Sequence, residues 1–460
     1  MKPTLPVRGG RVDATQGSIV RSLIRLAGPI LTSNVAMVVY GVGQMLWLGR
    51  SGADAVAVVA MGMPIMVFCW AIGDGFVMGG AALAARYAGS GDDRAVNRVA
   101  GHVVLLVLAY YLLLAIFAVP VMERVVIFIG TPADIASDVA LFVRILLLGM
   151  PITEIFYAYS ALLQGIGNSV TPMKMFTAAM LANMILDPLL ILGIGPFPAL
   201  GVGGAAAGII ICRGVAAVMC VFLLMRGTHG VKLTWDDLRL DSTLLRRLGK
   251  LSLPIGGERL LQGAEQIVLV SIVAGFGAGA LAAYGVGTRV LSLATMPGFA
   301  VGTAVTTLVG QNLGARRPER GEQATWTSGG LTFLLLTVLG VGMAVLAEPL
   351  ISLFNAEPEV LQHGIVMLRI LGPTVGLFGV FVTFGGTYRA LERTGAYLVW
   401  VLICSWLIKI PLALILPAQL GTPGIWLAIA VSNLLGASGT GLHLKSCFAP
   451  AAGEAKPVLR

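Results

Sequence analysis

Apolar residues run along this chain in blocks of roughly twenty or more, separated by short clusters of charge. A helix rising 1.5 Å per residue needs about 20 apolar residues to cross about 30 Å of hydrocarbon. Twelve blocks of that length stand near residues 24–48, 56–84, 97–120, 138–163, 172–194, 200–225, 250–275, 281–310, 326–347, 362–388, 397–417 and 422–444. The pattern predicts an all-α membrane protein with twelve transmembrane helices.

The charged breaks alternate in sign. One set of connections carries Arg86, Arg94, Arg98, Lys174, Arg226, Lys232, Arg239, Arg246, Arg247, Lys250, Arg316, Arg317, Arg320, Arg389 and Arg393. The other set has only Arg50 and Arg124, with acidic Asp54, Glu123, Asp134, Glu357 and Glu359. Lys and Arg are retained on the cytoplasmic side. An even span count with both termini cytoplasmic is therefore expected, in a multi-pass protein of the cytoplasmic (inner) membrane. The first 25 residues hold Arg8, Arg11, Arg21 and Arg25 and no apolar core of signal-peptide type, so the first span is expected to serve as its own insertion signal.

The longest connection, residues 226–250, divides two halves that resemble each other. Pro29 in "LAGPILTSN" and Pro254 in "LSLPIGGER" are 225 residues apart, and the same offset aligns "SGADAVAVVAMG" with "FGAGALAAYGVG" and Arg144 with Arg369. One frame held over such distance points to duplication, and six spans per copy place the two repeats in parallel. The expected organisation is an N-terminal lobe over 1–225, a cytoplasmic linker over 226–250, and a C-terminal lobe with a cytoplasmic tail over 251–460.

Composition adds exclusions. Charged residues make up 12% against 57% hydrophobic, about half the share a soluble domain carries, so the net charge of +9 reflects membrane orientation and not a nucleic-acid partner. Five scattered cysteines and four dispersed histidines give no metal or disulfide framework. No GxxxxGK[ST] loop, HExxH pair or nucleophile with its base is present, and "GVGGAA" at Gly201 opens a span and follows no strand. A non-enzyme without cofactor or metal is expected.

The exceptions within the apolar blocks carry the chemistry. In "MLANMILDPLLILG", Asn183 and Asp187 are four residues apart and share a helical face. An intramembrane carboxylate costs about 2.5–3.5 kcal/mol to insert and is a functional hypothesis by default. Burial disfavours its charged form, so a proton is gained and lost reversibly near neutral pH. The bland alternative is an Asp that bonds a neighbouring helix or caps the break at Pro188. Asp74 in "AIGDGFVMGG" and Glu265 in the seventh span are secondary candidates, with Glu258 and Arg259 read as a solvated cluster. Lys409 stands nearly where Asp187 stands in the other half, either as a fixed charge that deters cations or as a snorkelling side chain.

The motifs "LAGPILTSN", "SGADAVAVVAMGMP", "GGAALAARYAGSGD", "ANMILDPLLILG", "GVGGAAAG", "LAAYGVGTRVLSLATMP" and "LVGQNLGARR" resemble those of the multidrug and toxic compound extrusion (MATE) family, in its DinF-like prokaryotic branch. The resemblance implies two six-helix lobes around a central cavity. It also implies export of organic, often cationic, compounds by alternating access in exchange for protons or sodium. It further implies that Asn183 and Asp187 belong to a cation site. The family pattern places an acidic residue where this chain has Gln44, and a threonine where it has Ile209. Sodium needs several oxygens and a proton one base, so proton coupling is the preferred expectation. Arg213, on a face with Ala205 and Ile209, is expected to pair with Asp187 or bond Asn183, or else to meet carbonyls or cavity water. Met37, Tyr40, Met173, Met180 and Met184 are expected near the first-lobe cavity, where soft methionine suits promiscuous apolar binding. Small organic substrates and the lipid bilayer are the expected partners, and a monomer is the expected state. A lipid-linked precursor flippase, using Arg213, Arg144 and Arg369, is the alternative function.

Overall fold

The computed structural model describes residues 11–451, and among them every regular element is helical. Both chain ends, and with them the expected cytoplasmic tail, lie outside the described residues. The first half forms α1 (Ile19–Ser51), α2 (Ala53–Ser90), α3 (Asp93–Phe128), α4 (Ala136–Gly165), α5 (Val170–Leu192) and α6 (Gly201–Arg226). The second half forms α7 (Ser242–Ala274), α8 (Ala278–Gly314), α9 (Pro318–Val345) and a short α10 (Ala347–Ser352). It continues with α11 (Pro358–Leu371), α12 (Val375–Ala390), α13 (Thr394–Val401), α14 (Ile410–Ile415), α15 (Pro417–Leu420) and α16 (Thr422–Ala451).

Each predicted block falls on helix, and most helices extend beyond it, because polar end turns continue the helix past the apolar core. Three blocks are not single α-helices. Residues 326–347 run past the end of α9 at Val345, through a turn at Leu346, to the start of α10. Residues 362–388 are split by a 3₁₀ turn over Gly372–Thr374, where Pro373 removes a backbone donor. Residues 397–417 contain a π-helical stretch, Leu402–Lys409, between α13 and α14. Eleven helical stretches among the described residues are long and apolar enough to span a bilayer. The helix at the seventh block, α7, has 33 residues, but Arg246, Arg247, Lys250, Glu258, Arg259 and Glu265 lower its hydropathy. Ser242–Lys250, read as linker, forms its opening turns.

The chain folds into two compact units. One comprises Gly28–Gly256 with Arg11 and Val12; the other comprises Asp13–Ala27 and the chain from Gly257 onward. α1 and α7 thus each contribute to both, with the change falling beside Pro29 and Pro254. In the first unit α2, α3, α4 and α6 share one core, in which Leu83, Val99, Val103, Phe142, Leu147, Phe156 and Leu163 are almost wholly removed from solvent. The linker is fastened to this unit. Asn97 Oδ1 accepts from the Lys232 amide at 2.9 Å, and His102 Nε2 accepts from the Asp241 amide at 2.9 Å. His102 Nδ1 bonds the Arg98 carbonyl at 2.8 Å, so both nitrogens of this buried ring are engaged.

In the second unit Tyr284 stacks on fully buried Trp426, ring centroids 5.8 Å apart. The segment before α1 docks here. Gln311 Oε1 accepts from the Ala14 amide at 3.1 Å, Asn312 Nδ2 donates to the Ala14 carbonyl at 3.0 Å, and Arg317 and Arg320 donate to the carbonyls of Thr15 and Gly17, each at 2.8 Å.

Candidate functional site

Helix α5 is apolar almost throughout and ends at Gly193, whose φ of 70° closes the last turn in the left-handed region. Asn183 and Asp187 lie on one face of it, and both are fully buried. The first unit encloses that face with α6 and α1. On α6 the residue opposite is Gly208. A methyl group there would stand 2.8 Å from an Asp187 carboxylate oxygen and 2.9 Å from the Asn183 amide, so only hydrogen leaves room for the pair. Helix α1 contributes Tyr40 and Gln44, also four apart and hence also on one face.

The polar atoms close into a small network. With the Asn183 amide in the orientation that satisfies its neighbours, Nδ2 donates to Asp187 Oδ1 at 3.0 Å and to the Gly208 carbonyl at 3.2 Å, while Oδ1 accepts from the Tyr40 hydroxyl at 2.8 Å. Gln44 Nε2 donates to Tyr40 Oη and reaches Asp187 Oδ2 at 3.4 Å. Every hydrogen-bond partner of the carboxylate here is a neutral side chain. Among the described residues no Lys, Arg or His stands within 4.0 Å of it. Neutral donors orient a carboxylate without cancelling its charge, and the oxygens of Asp187, Asn183, Tyr40 and Gln44 cluster where a proton or a small cation could be held.

Gln44 and Tyr40 therefore share the pocket with Asn183 and Asp187, and Arg213 does not complete it. The face of α6 turned to α5 carries Gly204, which packs on the Leu190 carbonyl, and Gly208. The face expected there, Ala205–Ile209–Arg213, is rotated by one residue, about 100° on a helix. The expected pairing of Arg213 with Asp187 is thus absent. The guanidinium stands 5.4 Å over the Tyr157 ring, and its Nε has no hydrogen-bond partner among the described residues.

The rotation brings Arg213 to a residue that sequence reading missed. Glu154, in α4, is 3% exposed and accepts from the Trp70 indole at 3.1 Å. The charged groups that face it are Asp74, one turn beyond Trp70 on α2, and Arg213. Asp74 is half-buried. The signal for Glu154 was present in "MPITEIFYAYS", an acid in the middle of a predicted span, the same criterion that singled out Asp187.

The methionines divide. Met180 is buried in the helix-packing core, Met173 is half-buried, and Met184 and Met37 are 36% and 46% exposed. In the second unit, Glu258 and Arg389 are both buried and face each other at 3.9 Å, so Glu258, read as part of a solvated cluster, is instead sequestered, while Arg259 is half-buried. Gln262 donates to Glu258 at 3.2 Å. Glu265 is 8% exposed and paired with Lys409.

Two repeated sets of membrane-spanning helices, with a carboxylate buried among neutral donors in one of them, define a polytopic membrane transporter. The chain belongs to the MatE family: the family model matches residues 29–189 and again 254–415, each match opening on the proline that sets the internal repeat. It is 29% identical over 428 residues to the probable multidrug resistance protein YoeA of Bacillus subtilis, covering 91% of this chain and 92% of the relative. It is 26% identical over 430 residues to a protein named FAD transporter in Shewanella oneidensis, covering 93% and 94%. A solved structure described as the outward-facing conformation of a multidrug resistance MATE family transporter matches with a TM-score of 0.90 at 20% identity, covering 98% of this chain and 100% of that one. The last likeness establishes the fold.

Proposed function

We propose that this chain exports organic, often cationic, compounds across a cytoplasmic membrane in exchange for protons, by alternating access, as a monomer with both termini cytoplasmic. The observation that carries the reading is Asp187, fully buried and held by Asn183 and Gln44 with no basic partner among the described residues. Such a group takes its countercharge from outside. Loading from one side of the membrane and release to the other convert a proton gradient into work, roughly 2.3 kcal/mol per charge for each 100 mV. Protons are preferred to sodium because Gln44, an amide, stands at the expected acidic position and offers no second negative charge.

The test is ethidium efflux from proteoliposomes under an imposed pH gradient, for the wild type and Asp187→Asn. The variant keeps the shape and loses the exchangeable proton, so gradient-driven efflux is expected to fall to the leak rate. Equal efflux from both would remove Asp187 from coupling. The relative named an FAD transporter makes that dinucleotide a second cargo for the same vesicles. The flippase alternative relies on several arginines free to hold a headgroup. Arg144 instead donates to the Val119 carbonyl at 3.1 Å and faces Glu123 at 3.5 Å, which weakens it.

A further inference from the structure

The two units solve the same electrostatic problem in opposite ways. In the second unit α7 buries two carboxylates: Glu258 faces Arg389 at 3.9 Å, and Glu265, the closer paired, has Lys409 Nζ 2.6 Å from its Oε1. The side chains are only 10% and 14% exposed. The pair borders an apolar core: Leu269, one turn after Glu265, and Ala413, one turn after Lys409, pack there with Val273, Tyr284, Met367 and Trp426. The titratable groups that face the pair from the packed elements are Tyr284 of α8, beside Glu265, and Cys404 of the π stretch, beside Lys409. Neither is charged at neutral pH.

The backbone explains how a lysine reaches this position. Lys409 ends the π-helical stretch, where the Ile410 amide donates to the Ser405 carbonyl five residues back. Pro411, with no amide hydrogen, follows two residues later. The widened turn inserts a residue into the helical register and re-aims the side chains after it, as π-bulges at functional sites do.

We propose that Lys409 is a tethered counter-cation. It permanently fills the position that an exchangeable proton or metal cation would otherwise take beside Glu265, and so restricts coupling to the first unit. The inference rests on the reading of Asp187 as the coupling group. Asp187 has neutral donors and must borrow its countercharge. Glu265 has one covalently attached to the same chain, and a neutral pair has no reason to exchange ions with either side of the membrane.

The test measures protons moved per ethidium in proteoliposomes of the full chain, with a pH dye trapped inside. The double variant Lys409→Met/Glu265→Gln removes both charges together, so it avoids stranding either one and is the variant expected to fold. Its proton-to-ethidium ratio is expected to equal that of the wild type. Lys409→Met alone uncovers Glu265, and its ratio is expected to rise by one proton; Lys409→Arg is expected to keep the wild-type ratio. A lower ratio in the double variant would overturn the proposal, because Glu265 would then carry an exchanged proton in the wild type. So would an unchanged ratio in a folded, transporting Lys409→Met. Asp187→Asn, measured alongside, tests the underlying reading separately. If it keeps the wild-type ratio, the coupling assignment fails, whatever the Lys409 variants do.

Discussion

Gly208→Ala adds one methyl group at the point where α6 meets the buried pair on α5. The added carbon would lie 2.8 Å from Asp187 Oδ1 and 2.9 Å from the Asn183 amide, whereas ordinary contact begins at 3.4 Å. About 0.6 Å must therefore be found by moving α6, or by turning Asp187 out of its bonds to Asn183 and Gln44. Overpacking of this kind costs about 1–3 kcal/mol. Against it stands the ordinary gain of roughly 0.5–1 kcal/mol when a helical glycine becomes alanine. The balance runs from about zero to a net loss of about 2.5 kcal/mol, with the Asp187–Asn183 pair displaced. The matched control is Gly214→Ala on the same helix, where the added carbon meets nothing within 4 Å and only the helix gain remains. Thermal unfolding in detergent should show Gly208→Ala less stable than the wild type and Gly214→Ala as stable or more so. Ethidium efflux under a pH gradient should fall for the first and hold for the second. If the two variants behave alike in both assays, close packing of α6 on Asp187 is not what shapes the site.

Other outcomes follow from the same geometry. Trp70→Phe removes the one hydrogen-bond donor to Glu154 among the described residues and is expected to cost about 1–3 kcal/mol in thermal unfolding, while Glu154→Gln keeps an acceptor for the indole and should cost less. Tyr40→Phe removes the hydroxyl that donates to Asn183 and accepts from Gln44; pH-gradient efflux should weaken, and the buried Asn183 oxygen left without its donor should cost about 1–3 kcal/mol in thermal unfolding. Asp241, just before α7, accepts from the backbone amides of Leu244 and Thr243, which hold its carboxyl below the ordinary aspartate range. The stability it contributes is therefore present above its unfolded-state value and is lost as pH falls through the lower folded one. Asp241→Ala should cost about 1 kcal/mol near neutral pH, with the difference from wild type closing in acid. Asn312→Ala removes the amide that donates to the Ala14 carbonyl, and limited proteolysis should then cut the segment before α1 sooner.

Much of this protein was legible in its residue order. Twelve apolar blocks, a 225-residue echo and the position of Pro29 and Pro254 set the class of fold, because a bilayer demands long apolar helices and a duplication preserves their spacing. Asn183 and Asp187 stood out because a carboxylate in an apolar run is costly wherever the chain then goes. What the order could not settle was rotation and partnership between helices. Whether Gly208 or Ile209 of α6 turns toward α5 is a difference of about 100°, and an apolar helix whose faces are all alike carries no periodic signal to decide it. That rotation sent Arg213 to Tyr157 and toward Glu154. In the second unit, a π-helical turn that no 3.6-residue pattern encodes brought Lys409 onto Glu265. Residue order marks which groups are costly to bury; the tertiary packing alone decides which charges meet an opposite charge, as Glu265 does, and which meet only neutral donors, as Asp187 does.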